Sequence, residues 1–169
     1  MKRTVRWFLG CLAFFVWLLN GCAGPTAEVR DTAKADFHYK LANGHFYEQQ
    51  IHMALKELTT ALEMNPEHPD ANHLMGFILY GRKELASAER YYRTAIQLRP
   101  GFHEARANLG VVLLSMRRWR EAITELEPLT SQTLYSTPWL VHNNLGYAHE
   151  QLGHRSKALK HYRLSIFHN

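Results

Sequence analysis

Few residues in this chain of 169 are of types that could do chemistry, and eleven histidines come first among them. Two imidazoles at i, i+3 or i, i+4 of a helix share one face and can hold a metal ion together. No histidine pair has that spacing. His154, His161 and His168 recur every seven residues, about two helical turns apart, too far to share an ion, so they read as helix-surface residues. Ser87, Ser115, Ser131 and Ser136 lack the G-x-S-x-G context of a nucleophile elbow, and no glycine-rich phosphate loop is present. Glu57, Glu84, Glu89 and Glu121 fall on helix faces expected to meet water. These patterns support no catalytic site, no metal and no cofactor, and an enzyme is not expected. Cys22 stands apart, because Leu18-Leu19-Asn20-Gly21 precede it.

Lys2, Arg3 and Arg6 form a basic start, and Trp7 to Leu19 is an apolar run of 13 residues. That is the size of a secretory h-region and short of the ~20 residues needed to span a bilayer as a helix. Residues 1–21 therefore read as a signal peptide. Its end, a small residue directly before cysteine, resembles the lipobox of bacterial lipoproteins; the alternative is an ordinary signal in which Cys22 has no role. The resemblance implies that Cys22 carries a thioether-linked diacylglyceryl group, becomes the N-terminus after cleavage and is then N-acylated. Each buried CH₂ contributes ~0.8 kcal/mol, so three chains on one residue hold a protein where a single chain holds it only marginally. Ala23 follows Cys22 where an Asp would retain lipoproteins of diderm bacteria on the inner membrane. The implied address is the outer membrane, on its periplasmic face.

The rest of the composition fits one domain on a tether. Of 20 basic residues three lie in the signal, and 15 are acidic, which leaves the mature chain near +2. That charge and the lack of a dense basic cluster argue against a nucleic-acid partner, and nothing suggests a small-molecule substrate. Cys11 lies in the signal and Cys22 is assigned to lipid, so no disulfide is expected. Residues 22–34, with Gly24-Pro25-Thr26 as a breaker, read as the tether.

From residue 35 to 169 the chain repeats. Pro66 and Pro100 lie 34 apart, as do Ala54, Ala88 and Ala122; Leu58, Tyr92 and Leu126; Ala61 and Ala95; and Gly76 and Gly110. Asn144-Leu145-Gly146 repeats Asn108-Leu109-Gly110 after 36 residues. This register resembles the tetratricopeptide repeat. It implies an all-α solenoid of about four helix pairs, in repeats near 35–68, 69–102, 103–138 and 139–169. The expected pairs are 35–48 with 51–64, 70–82 with 85–98, 103–116 with 119–130, and 138–152 with 155–168. Glycine and alanine sit where two helices must approach closely, and the prolines mark repeat boundaries. Thr137-Pro138 reads as a helix start, Thr as N-cap and Pro at the first position. Ile166 and Phe167 fall on a terminal face that a partner, a second copy or further repeats would cover.

In tetratricopeptide arrays the first helix of each repeat lines the concave face. The matching positions are Tyr39, Asn43, Phe46 and Tyr47; His73, Phe77 and Tyr80; Ala107, Val111 and Leu114; and Asn143, Tyr147 and Glu150. Any single ring among them could equally be interhelix packing. Together they suit an apolar or amphipathic peptide. A carboxylate clamp would need cations that Tyr39, Asn43, Leu74, Glu104 and Asn108 do not supply.

A lipobox leading into such repeats resembles the type IV pilus assembly lipoproteins, the pilotins of the outer-membrane secretin. The likeness extends to Leu134-Tyr135-Ser136-Thr137-Pro138 ahead of Asn143-Asn144-Leu145-Gly146-Tyr147. It implies a non-enzymatic adaptor that binds the secretin subunit, holds it at the outer membrane and promotes its multimerisation. The other reading is an envelope lipoprotein that scaffolds peptidoglycan enzymes.

Overall fold

The computed structural model describes residues 27–131 and 137–168. The signal segment, Cys22 and most of the loop before Pro138 lie outside the described residues. Eight α-helices run in sequence among those described: α1 Ala27–Tyr47, α2 Ile51–Met64, α3 Pro69–Gly81, α4 Leu85–Leu98, α5 His103–Ser115, α6 Trp119–Leu126, α7 Pro138–Gln151 and α8 Arg155–His168. They pack as four antiparallel pairs stacked into one solenoid.

Two boundaries differ from expectation. Helix α1 begins at Ala27, inside the stretch read as tether. Once Gly24 and Pro25 are passed, Ala27-Glu28-Val29-Arg30 carries no residue that breaks a helix. Helix α6 stops at Leu126, and Glu127–Ser131 continues as a 3-10 turn, because Pro128 has no N–H for the α-helical bond.

Each pair closes around one contact. A Cβ added to Gly76 would lie 3.1 Å from Tyr92 Cδ1, one at Gly110 2.5 Å from Leu126 Cδ2, and one at Gly146 2.6 Å from Tyr162 Cδ1. The first repeat places Ala42, fully buried, at this position and the smaller Leu58 at the facing one. Ala54, Ala88, Ala122 and Ala158 are buried on the second helices, so the backbones meet with little side chain between them. The chain then leaves α2 and α4 in extended conformation at Asn65 (φ −141°, ψ 90°) and Arg99 (φ −136°, ψ 88°), as a following proline requires. His68 caps α3 through Nδ1, which accepts from the Ala71 N–H at 3.2 Å. Thr137 occupies the N-cap of α7, but its side chain makes no capping bond; its carbonyl accepts from Leu140 N instead.

The turn inside each repeat has a fixed form. Gln49, Lys83, Arg117 and Gly153 all lie at positive φ (61°, 66°, 59° and 76°). Their N–H groups bond Phe46, Tyr80, Leu114 and Glu150, and the next residue in each bonds one carbonyl further back, the Schellman closure of a helix. Three of the four are not glycine. Changing Lys83 to Gly removes the Cβ clash and is expected to stabilise the fold by about 1 kcal/mol. Gly146→Ala, which forces a methyl into the Tyr162 ring, is expected to cost ~1–3 kcal/mol. Urea unfolding of the two variants checks both signs.

Candidate functional site

First helices touch one another across repeats, α1 with α3, α3 with α5 and α5 with α7, whereas the second helices make no comparable contact. The stack therefore curves with its first helices inside. Their C-terminal halves bring one side chain of each repeat against the next. Phe46 meets Phe77 edge-on at 5.5 Å between ring centroids. Tyr80 Oη lies 3.5 Å from Ser115 Oγ. Trp119, at the start of α6, meets Tyr147 edge-on at 5.6 Å. Lys83 Nζ sits 5.8 Å from the centre of the Tyr80 ring, within cation–π reach. The result is an aromatic rail along the inner face, and it opens between α5 and α7 into a cleft of ≈ 320 Å³ lined by Val111, Leu114, Ser115, Arg117, Trp119, Asn144 and Tyr147.

The residues singled out in sequence divide along this rail. Tyr47, Phe77 and Tyr147 are exposed at 77%, 42% and 41%, and Asn143 is exposed as well, while Phe46 and Tyr80 are half-buried beneath the rail. Asn43 is half-buried. Tyr39 packs on the His68 ring at 5.0 Å, and burial, helped by Asp70, raises its hydroxyl pKa. His73 belongs to the packing between repeats. Its ring lies against Tyr92 and Phe102, Asn108 Nδ2 is 3.0 Å from its Nε2, and burial lowers its pKa. Ala107 and Leu114 are buried, and Glu150 accepts a bond from Tyr162 Oη at 2.7 Å. Trp119, Ser115, Arg117 and Asn144 were not read from the sequence as groove residues. The first three follow the expected first-helix positions at the turn, and Asn144 sits beside one; the left-handed turn folds Arg117 and Trp119 back over the groove.

The histidines divide: His154 is exposed as expected of a surface residue, whereas His161 is half-buried. His142 and His149 are buried, 6% and 3% exposed, between α7 and α8. His142 Nδ1 lies 3.1 Å from His161 Nδ1, His149 Nδ1 lies 3.4 Å from His154 Nδ1, and the His149 and His161 rings stack at 5.5 Å. Spacing along one helix could not reveal this, because antiparallel pairing brings the imidazoles together from two helices. Among the described residues no group of three or more His, Cys, Asp or Glu is placed to hold a metal ion. A string of side chains that pack and exchange hydrogen bonds remains.

An open groove on a curved stack of helix pairs is the architecture of a scaffold that binds other chains. Tetratricopeptide-repeat family models match residues 39–101, 79–134 and 141–166, and the chain belongs to the tetratricopeptide-repeat proteins. It is 26% identical over 166 residues to the type IV pilus assembly protein PilF of Pseudomonas aeruginosa, covering 97% of this chain and 66% of that protein. The solved structure of Pseudomonas aeruginosa PilF superposes with a TM-score of 0.72 at 24% identity, over 82% of this chain and 63% of that one. PilW, described as a widely conserved type IV pilus biogenesis factor, gives 0.70 at 21% identity, over 78% and 60%. MamA gives 0.73 at 21% identity, over 79% and 77%. The likeness to these structures shows the shared fold. This chain spans just under two thirds of the length of the PilF it matches.

The histidine string makes the last repeat sensitive to acid. Burial first, then His142, His149, Lys160 and Lys157, pushes His161 down from 6.5 to about 4; burial with Lys157 and His154 lowers His149, against a small opposing pull from Glu127. Both are neutral in the folded chain and take up protons first in the unfolded one. The stability they support is complete above about pH 6.5 and is lost as pH falls towards about 4. Thermal melts across that interval are expected to show a falling midpoint, and His161→Phe is expected to flatten the fall.

Proposed function

We propose that this chain is a non-enzymatic adaptor of type IV pilus biogenesis, anchored by lipid on Cys22 to the periplasmic face of the outer membrane. It binds a secretin subunit through the aromatic rail and promotes the subunit's localisation and multimerisation. The observation that carries the binding half is the rail itself. Phe46–Phe77, Tyr80–Ser115 and Trp119–Tyr147 link the inner ends of all four repeats, yet Phe77 and Tyr147 keep a large share of their surface in water. Aromatic groups so placed offer contact area at low entropic cost and become binding hot spots once a partner desolvates them. The pilus-assembly relatives supply the setting, and Gly21-Cys22 supplies the anchor. Among the described residues no helix is long and apolar enough to cross a membrane.

Phe77→Glu is expected to weaken capture of the secretin by tenfold or more while leaving the melting temperature close to native, because the position is solvent-facing until a partner covers it. Ala88→Glu, at a fully buried helix contact, is expected to unfold the array by burying an unpaired charge. Pull-down and thermal melts on the same variants test this, and a Phe77→Glu chain that unfolds as badly as Ala88→Glu refutes the groove.

The anchor has its own test. Cys22→Ser is expected to abolish incorporation of labelled palmitate and to remove the protein from the outer-membrane fraction. Wild-type levels of the variant in that fraction would refute lipid attachment.

A further inference from the structure

Helix α1 starts only a few residues beyond Cys22, and that shortens the leash between lipid and solenoid. Four residues, Ala23 to Thr26, separate them, so the first turn of α1 stays within about 17 Å of the lipidated residue even at full extension. At ~1.5 Å per residue, Phe37 is only about 15 Å further along the helix. A segment held this close must either stand away from the headgroups or lie against them. The character of its outer face decides which.

That face is apolar where it could have been polar. Phe37 is 58% exposed and Leu41 38%, one turn apart on the same side of α1. Gly44 extends the strip, and nothing lies within 4 Å of a Cβ built there. Lys34 and Lys40 flank the two apolar side chains, one to either side. Lys34 pairs with Asp31 at 3.5 Å and Lys40 with Asp36 at 2.6 Å, so the two nearby acids are balanced by lysines that can reach to phosphates. Long cations beside exposed Phe and Leu are the pattern of an interfacial helix face, with apolar groups seated in the headgroup boundary and ammonium groups reaching the phosphate level. Tyr39 and Phe46 project from the opposite side of α1, where they meet His68 and Phe77. Contact through Phe37 therefore leaves the rail open.

We infer that the Lys34–Phe37–Lys40–Leu41 face of the first repeat lies on the bilayer that holds the lipid of Cys22, so that the solenoid is docked on the membrane through α1 with its groove turned to the periplasm. This rests on the lipid-anchor reading above. Two partly exposed apolar residues would bind a free bilayer weakly; the short leash raises their effective concentration at the surface and makes the contact persist.

The test uses the full lipidated chain in vesicles of phosphatidylethanolamine and phosphatidylglycerol. An environment-sensitive fluorophore is attached through Phe37→Cys in one sample and through the exposed Gln97→Cys of α4 in another. Mass spectrometry first establishes that Cys22 is acylated; an unmodified Cys22 sinks the anchor reading and this inference with it. With acylation intact, the label at 37 is expected to shift to the blue and to be quenched several-fold by lipids brominated near the headgroup, while the label at 97 is not. Leu41→Glu added to the first sample is expected to reverse much of that quenching without altering the circular dichroism. Equal, water-like emission at both positions overturns the docking while leaving the anchor standing. Shielding at 37 that vanishes as protein is diluted at fixed lipid would assign the face to a second copy and overturn it as well.

Discussion

The fold depends on one repeated approach, in which a residue with little or no side chain on the first helix of each pair receives a large one from the second. Gly76 takes Tyr92, Gly110 takes Leu126 and Gly146 takes Tyr162, with so little room that a methyl group at any of the three would press on its neighbour. Van der Waals contact this close leaves no freedom for the helices to slide or rotate against each other. The pair angle is thereby set, and stacking four such pairs sets the curvature. The first repeat has Ala42 and Leu58 at the corresponding positions, both fully buried, so a small residue opposite a larger one recurs in all four pairs.

Curvature is the link from packing to function. Because the first helices crowd together on the inside, side chains at their C-terminal ends are pressed into a continuous row. Side chains about one or two turns earlier, such as Tyr39 and His73, are taken up by the joint between repeats. The ion pairs on the outer helices serve a different end. Arg118 reaches Glu89 across the repeat boundary as well as Glu121 beside it, and Arg93 and Arg106 share Glu125. Their carboxylates are mostly shielded, Glu89 at 13% and Glu125 at 17% side-chain exposure, while Arg93 stays 44% exposed. These pairs set charge along the second helices, while the inner row is aromatic.

The first and last of the described repeats each carry a feature that the two between them lack. On the outer face of α1, Phe37 and Leu41 lie between lysines, close in sequence to Cys22. On the last repeat, His142, His149 and His161 meet between α7 and α8. Burial holds His149 and His161 below the ordinary imidazole range, so protonating them on acidification weakens that interface.

Sequence alone determined the periodic features: the helix pairs, the small residues at each close contact, the prolines between repeats, and the placement of Phe46, Phe77, Tyr80 and Tyr147 on first helices. These were legible because each is a local preference or a fixed offset, and both survive in a linear string. The shortfalls share one cause. That His142 faces His161 and Trp119 faces Tyr147 depends on how far one helix is rotated against another, which no offset along the chain records. The sorting of Tyr39 and His73 into packing, and of Phe37 to the outside of the solenoid, depends in the same way on which side of a helix its neighbours occupy. The left-handed turns at Gln49, Lys83 and Arg117 were hidden for a related reason. Glycine would have announced them, but the Schellman hydrogen bonds hold an ordinary residue there against its own preference, and only the folded chain supplies those bonds.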